Sequence, residues 1–150
     1  MTFHAIGISH HSAPLEVREK LAFAPERQPE ALAELAGQPG VSEAVLVSTC
    51  NRTEVYCRAD DAHAVRAWLC AAAERVGLEV DGYVYCHSGE SAVRHAFRVA
   101  AGLDSMVLGE RLRLALGGEC QLFAHLEGSA VMADAEDVEN HGVENYSRMR

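Results

Sequence analysis

The 150-residue chain has no uninterrupted apolar run that approaches the about eighteen residues of a membrane-spanning helix. Its first residues lack the basic start and the apolar stretch of a secretory signal. Basic side chains are few, 13 against 22 acidic ones, and the formal net charge is −9. Such a balance argues against a protein whose whole surface grips nucleic acid. We therefore expect a cytoplasmic protein with no membrane partner.

Paired cysteines are also missing from the chain. The five cysteines are an odd number, and none of them stands in a Cys-x-x-Cys pair. With no secretory signal, this pattern favours reduced thiols over a disulfide framework. The cysteines and histidines do not have the spacing of a zinc finger or a zinc ribbon, so no metal site is expected.

The chain is long enough for one domain with a substantial core, and its composition, 49% hydrophobic and 23% charged, is ordinary for a globular protein. Apolar periodicity predicts both kinds of secondary structure. Strands are predicted at 3–9, 44–48, 53–58 and 83–86, and helices at 15–23, 29–37, 61–76 and 91–101. Ser12 is predicted to cap the first helix, and Asp60 or Asp61 to cap the third. The short connection between the second and third strands indicates an antiparallel pair. The predicted class is α+β, a small, mostly antiparallel sheet flanked by helices.

The last forty residues differ from the rest of the chain. Residues 112–118 have no clear period, and residues 127–150 carry six acidic side chains against two arginines. A segment with so few bulky apolar residues has little to bury. The domain is therefore predicted to span residues 1–110, with 111–150 as a divergent, poorly ordered tail.

The most informative stretch is 48–54, Ser-Thr-Cys-Asn-Arg-Thr-Glu, because it puts Cys50 at a break between two apolar runs. A thiol at the end of a strand can reach a cleft, and the nearby Arg52 guanidinium favours its thiolate form. That arrangement suits attack on an acyl group, although a small apolar residue closing a strand is the alternative. Thr49 and Asn51, with the local backbone N–H groups, can donate to an oxyanion or can simply be good loop residues.

Two further side chains have a chemical and a structural interpretation. Arg52 can bind a substrate carboxylate through two hydrogen bonds, or it can be a surface arginine or a partner of Glu54. His95 falls beside a predicted apolar stripe that includes Val93 and Phe97. A histidine there is a solvated or core-edge residue, or it is the base or proton donor that a cysteine nucleophile needs. The histidines at positions 10 and 11 are assigned a structural role.

Three motifs in the same order carry a family resemblance: Gly7–Pro14, Ser48–Glu54 and His95–Glu110. Together they resemble the N-terminal catalytic domain of glutamyl-tRNA reductase, over residues 1–110. In that family the motif cysteine attacks the ester that joins glutamate to its tRNA and releases the tRNA. NADPH then reduces the thioester to glutamate-1-semialdehyde, a precursor of tetrapyrroles (porphyrins).

The resemblance implies roles for particular residues of this chain. Cys50 would be the nucleophile and His95 the histidine that supports activity. The glutamate pocket would be lined by Thr49, Asn51, Arg52, Ser105 and Glu110. The substrate would be glutamyl-tRNA(Glu), and the family is a homodimer.

The resemblance ends inside a motif. The family continues after Gly-Glu with Pro-Gln-Ile-Leu-Gly-Gln, whereas this chain continues from Glu110 with Arg-Leu-Arg-Leu. No Gly-x-Gly-x-x-Gly occurs, so the NADPH-binding domain is expected to be absent here, as is the dimerisation region. The abrupt change suggests a frameshifted or truncated reading frame. The alternatives to a fragment with acyl-transfer chemistry are a non-catalytic module that binds tRNA or a partner, and an inert product of a broken frame.

Overall fold

A computed structural model describes residues 1–104 and two later segments, 122–126 and 129–133. The strands are β1 (Thr2–Ser9), β2 (Val41–Ser48), β3 (Arg52–Ala59), β4 (Tyr85–Ser88), β5 (Leu122–Leu126) and β6 (Ser129–Ala133). The helices are α1 (Leu15–Leu21), α2 (Gln28–Ala36), α3 (Ala62–Glu74) and α4 (Glu90–Ala100), with short 3-10 turns at Pro25–Arg27 and Asp81–Tyr83. Within these segments no helix is long and apolar enough to cross a membrane.

The described strands form one sheet in the order β4-β1-β3-β2-β5-β6, and every neighbouring pair is antiparallel. This confirms the predicted α+β class, including the antiparallel pairing of β2 with β3. Each predicted strand and helix is present, with shifted ends. The sequence did not predict β5 and β6. Both strands fall inside the tail that was predicted to be poorly ordered. The other residues of 111–150 lie outside the described residues.

One face of the sheet carries the hydrophobic core. Strand alternation places Ile6, Ile8, Leu46 and Val55 on this face, and each of them is fully buried. Helices α1, α2 and α3 cover them with a second set of buried side chains: Leu21, Leu32, Leu35, Val65 and Leu69. Each such side chain contributes about 2 kcal/mol when it leaves water. The core therefore holds three helices to one face and leaves the other face for α4.

The first residues of α1 and α3 differ in how their backbone N–H groups are capped. The Asp61 carboxylate, one of the two predicted candidates, caps α3 by accepting a hydrogen bond from the His63 N–H at 3.0 Å. In contrast, Ser12 was predicted to cap the first helix, and α1 begins instead after Pro14 with no side-chain cap. The Ser12 hydroxyl accepts from the Ser9 N–H at 3.0 Å, so it tightens the turn that follows β1.

Helix α4 lies against the second face of the sheet, and its predicted apolar stripe is wrong. Phe97 is 72% exposed and Val93 is 42% exposed, whereas Ala92 is fully buried. The side chain of His95, three residues after Ala92, is only 12% exposed. The helix turns this way because the strand residue beneath it is the polar Glu54, which bonds to the imidazole.

Gly7 lies in the centre of this second face, paired with Glu54 of β3 on one side and with Tyr85 of β4 on the other. A Cβ atom at position 7 would stand 2.3 Å from the Thr53 carbonyl oxygen and 2.9 Å from the Glu54 Cγ atom. No side chain fits there without moving backbone atoms of β3. The missing side chain is what lets Glu54 and Tyr85 meet across β1.

The first prediction concerns this close approach. Gly7→Ala forces β1 and β3 apart, so we expect it to lower the free energy of unfolding by about 3 kcal/mol. Gly82→Ala is the matched control, because a Cβ atom at position 82 meets nothing within 4 Å. Urea denaturation followed by circular dichroism measures both variants. Equal stability of the two variants would contradict the steric explanation.

Candidate active site

Cys50 lies in the turn between β2 and β3, and its side chain is exposed with a free thiol. The turn is closed by a hydrogen bond from the Thr49 N–H to the Arg52 carbonyl oxygen at 2.8 Å. The Thr49 hydroxyl oxygen accepts from the N–H groups of Asn51 at 3.2 Å and of Arg52 at 3.3 Å. Those two backbone donors are thus already engaged, so the Thr49 hydroxyl proton is the better candidate donor to an oxyanion.

Two contacts from outside the turn hold it in place. The His10 N–H donates to the Asn51 carbonyl oxygen at 2.9 Å, consistent with the structural role assigned to that histidine. The buried Arg18 of α1 donates from Nη1 to the Cys50 carbonyl oxygen and from Nε to the Ala13 carbonyl oxygen. The backbone that carries the thiol is therefore held by hydrogen bonds from the residue after β1 and from a side chain of α1.

Beyond the turn, strand alternation places Arg52, Glu54 and Tyr56 on the face that α4 covers. The Glu54 carboxylate is fully buried. It accepts a hydrogen bond from His95 Nε2 at 2.8 Å and one from Arg52 Nη1 at 2.8 Å. The hydroxyl groups of Tyr56 and Tyr85 also donate to it. Glu54 is thus the acceptor at which β3, β4 and α4 converge.

These donors keep Glu54 charged despite its burial. Burial raises the pKa of Glu54, but the hydrogen bond from His95, the charge of Arg52 and the two tyrosine hydroxyls outweigh it and lower the pKa to about 2. Burial and the Glu54 charge raise the pKa values of Tyr56 and Tyr85, so both hydroxyls keep their protons. Burial opposes the charge of Arg52, yet Glu54 reverses the balance and raises the pKa of Arg52.

Rings from two strands hold the His95 imidazole in place. His87 stacks on it with centroids 4.7 Å apart, and Tyr85 meets it edge-on at 5.6 Å. Tyr56 lies on another side at 6.4 Å. Since the Nε2 atom bonds Glu54, the ring is constrained in both position and rotation.

Asp104, just after α4, closes the cluster on the far side of Arg52. Arg52 Nη2 donates to the Asp104 carboxylate at 3.2 Å and also to its carbonyl oxygen. His11 Nε2 lies 3.5 Å from the same carboxylate, and Arg98 lies 4.0 Å from it. Burial raises the pKa of Asp104, but the hydrogen bond and charge of Arg52 lower it overall. In this state both terminal nitrogens of Arg52 are engaged.

The structure brings most of the predicted residues together. Thr49, Cys50, Asn51 and Arg52 share one turn, and His95 reaches that turn through Glu54 and Arg52. Arg52 is not a surface arginine; it is the buried partner of Glu54, one of the two structural alternatives. The predicted pocket residues at positions 105 and 110 lie outside the described residues.

Three residues of the site were not predicted from the sequence: Glu54 as the centre of the cluster, Asp104 as the second partner of Arg52, and Arg18 as the support of the Cys50 turn. Strand alternation over β3 was a usable signal for Glu54, because positions two apart face the same side as Arg52. Nothing in the sequence pattern indicates that Asp104 folds back onto Arg52, since that contact spans 52 residues. Within residues 1–104, no three His, Cys, Asp or Glu side chains are grouped as for a metal ion.

An open groove of about 560 Å³ lies beside His95, lined by residues of α4 and by one residue of β4. Its lining residues are His87, Glu90, Ser91, Arg94, His95 and Arg98. Because His95 belongs both to this groove and to the Glu54 cluster, a molecule seated in the groove would touch the cluster.

The second prediction follows from the pKa of Glu54. A carboxyl group with a pKa of about 2 in the folded state, against about 4.3 when unfolded, stabilises the fold above pH 5 by about 3 kcal/mol. That contribution is lost as the pH falls from about 5 to about 2. Thermal unfolding of the parent chain and of Glu54→Gln over this range should show a shallower pH dependence for the variant. Parallel curves would show that Glu54 has no such pKa.

Comparison with known proteins gives the same family each time. The family model described as "Glutamyl-tRNAGlu reductase, N-terminal domain" matches residues 6–112. The glutamyl-tRNA reductase of Stenotrophomonas maltophilia (strain K279a) is 54% identical over 110 residues, which cover 73% of this chain and 25% of that protein. That of Xanthomonas campestris pv. phaseoli is 51% identical over 110 residues, with the same two shares.

A solved structure shows the same relationship. The glutamyl-tRNA reductase from Methanopyrus kandleri is 34% identical with a TM-score of 0.51, and the match covers 75% of this chain and 25% of that one. The chain thus spans about a quarter of the length of the relatives it matches. Because the model of the N-terminal domain matches most of its length, the chain belongs to the glutamyl-tRNA reductase family and corresponds to the N-terminal domain of that family.

Proposed function

We propose that this chain carries out the acyl-transfer half of glutamyl-tRNA reduction, with Cys50 as the nucleophile and glutamyl-tRNA(Glu) as the substrate. The observation that supports this best is the placement of an exposed thiol on a fixed turn, two residues from a buried guanidinium that is bonded through Glu54 to His95. A nucleophile, a group able to move a proton and a group able to bind an acidic substrate are thus joined in one network.

The step has a simple balance of bonds. The Cys50 Sγ atom attacks the carbonyl carbon of the ester between glutamate and the terminal ribose. A carbon–sulfur bond forms and the carbon–oxygen bond to the ribose breaks. The proton that leaves the thiol ends on the ribose oxygen, so the products are a glutamyl thioester on Cys50 and uncharged tRNA. No oxidation or reduction occurs in this step.

Arg52 would bind a carboxylate of the glutamyl group. In the described state its Nη2 atom donates to Asp104, which is itself a carboxylate. A substrate carboxylate would therefore take the place of the Asp104 side chain on Arg52, while Glu54 continues to hold Nη1. Thr49 would donate to the oxyanion through its hydroxyl group. Asn51, Ser105 and Glu110 stay proposed pocket residues on the basis of family resemblance.

The groove beside α4 would receive the end of the tRNA. It presents the guanidinium groups of Arg94 and Arg98 next to His95, in a chain whose net charge is otherwise strongly negative. Guanidinium groups bind phosphate through paired hydrogen bonds. A phosphate backbone seated there would bring the terminal ester toward the Cys50 turn.

The reductive half is not assigned to this chain. A nicotinamide dinucleotide is usually held by a Gly-rich loop between a parallel strand and a helix. The described strands are all antiparallel, and the chain has no Gly-x-Gly-x-x-Gly. These residues therefore do not fit NADPH, and we assign no hydride step to them. The cytoplasmic location and the homodimer of the family stay predictions.

The third prediction tests the nucleophile. Incubation of the chain with glutamyl-tRNA(Glu), followed by an acid quench and mass spectrometry, should reveal one glutamyl adduct on the peptide that contains Cys50. We expect Cys50→Ser to abolish it, because an alcohol in that position lacks the thiolate's reactivity.

Cys86→Ser is the matched control, because Cys86 is also an exposed free cysteine but lies in β4, away from the turn. The adduct should persist in that variant. An unmodified Cys50 in a folded chain that still binds the tRNA would instead support the non-catalytic binding module.

A further inference from the structure

The charge state of Glu54 determines which nitrogen of His95 carries a proton. An ionised carboxylate has only acceptor sites, so each group that hydrogen-bonds to it must present a hydrogen. Arg52, Tyr56 and Tyr85 are all donors in their ordinary states. The 2.8 Å contact to His95 therefore requires a hydrogen on Nε2.

The other ring nitrogen is consequently the one that carries no hydrogen. With Nε2–H held by Glu54, neutral His95 has its lone pair on Nδ1, so Nδ1 is the nitrogen that can accept a proton from a reacting group. Among the residues that the structure describes, the ring makes no hydrogen bond besides the one through Nε2. The stacked His87 and the edge-on Tyr85 pack against the ring in the orientation that points Nε2 at Glu54.

We infer that Glu54 is a positioning residue: it holds His95 in the Nε2–H tautomer, so that Nδ1 is the nitrogen that exchanges protons with the reacting groups. The inference rests on the proposed acyl transfer for its chemical consequence. In that step Nδ1 takes the proton that leaves the thiol and returns it to the ribose oxygen, so His95 is unchanged at the end. The imidazolium that exists between the two transfers is stabilised by the Glu54 carboxylate.

The same carboxylate also holds Arg52, so one buried group positions both the proton carrier and the proposed substrate-binding cation. Its place depends on Gly7, since a side chain there would collide with the Glu54 Cγ atom. The charged and titratable groups that face His95 are Glu54 and Tyr56 from β3, Tyr85 and His87 from β4, and Asp104 after α4. Arg94 and Arg98 of α4 share its groove.

The first arm of the test is the tautomer of His95 in the parent chain. Long-range proton–nitrogen NMR correlations of the imidazole, assigned with a His95→Gln variant, distinguish a protonated Nε2 from a protonated Nδ1. We expect Nε2–H in the neutral ring. A predominant Nδ1–H tautomer would overturn the inference. This measurement needs neither the substrate nor an altered Glu54, so an Nδ1–H tautomer overturns the inference even if Cys50 is never acylated or if variants of Glu54 fail to fold. The same spectrum of Glu54→Gln, in which the tautomer ratio should move toward Nδ1–H, shows that the carboxylate holds the tautomer.

The second arm measures the rate of glutamyl-adduct formation against pH. Glu54→Gln removes the charge that stabilises the imidazolium, so we expect a rate at least about 10-fold lower and a pH profile displaced from that of the parent chain. Glu43→Gln is the matched control, because it makes the same change at a strand carboxylate that pairs with an arginine, Arg58 at 3.7 Å, and that has no contact with His95. It should keep the parent profile. A profile in Glu54→Gln that is the same as in Glu43→Gln would reduce Glu54 to a structural role.

Discussion

The buried Glu54 carboxylate is the interaction on which the rest of this structure depends. It draws donors from three elements: Arg52 and Tyr56 from β3, Tyr85 from β4 and His95 from α4. An unpaired charge in that position would cost several kcal/mol, because the carboxylate is wholly removed from water. Four donors compensate for it, and each is held in place by that requirement. The second face of the sheet is therefore organised around a charge and its partners.

This arrangement explains features that hydrophobic burial does not. Helix α4 exposes Phe97 and Val93 and turns His95 inward, contrary to an ordinary amphipathic helix. Gly7 stands where β1 passes between Glu54 and Tyr85, because only a residue with no side chain leaves room for their contact. The opposite face of the sheet follows the usual rule, with three helices covering aliphatic side chains. The two faces thus have separate tasks: one stabilises the fold and the other builds the site.

The site also joins parts of the chain that are far apart in sequence. Arg18 of α1 and His10 after β1 hold the Cys50 turn, and Asp104 after α4 pairs with the guanidinium two residues beyond that thiol. A thiol in such a turn has a fixed backbone and an open side chain, which suits a nucleophile that must meet a large substrate. The membership in the glutamyl-tRNA reductase family agrees with this geometry, although the match covers only about a quarter of those proteins.

Local pattern in the sequence determined the elements and the turn. Alternating apolar residues predicted β1 and β3, helical spacing predicted α3, and the break at Cys50 predicted a turn at the end of a hairpin. Each of these predictions depends only on residues that are close together in the sequence. The orientation of α4 was predicted wrongly because hydrophobic spacing takes no account of a buried charge on the facing strand.

Only the tertiary structure decided how the site is joined. The partners of Glu54 come from positions 52 to 95, and the pair between Arg52 and Asp104 spans half of the described domain. Such contacts depend on the strand order and on which face of the sheet each helix covers. A pattern of neighbouring residues in the sequence predicts neither of these. The sequence by itself determined that a thiol, a guanidinium and an imidazole are available. The sheet, with Gly7 at its centre, determined that one buried carboxylate, Glu54, connects the guanidinium of Arg52 with the imidazole of His95.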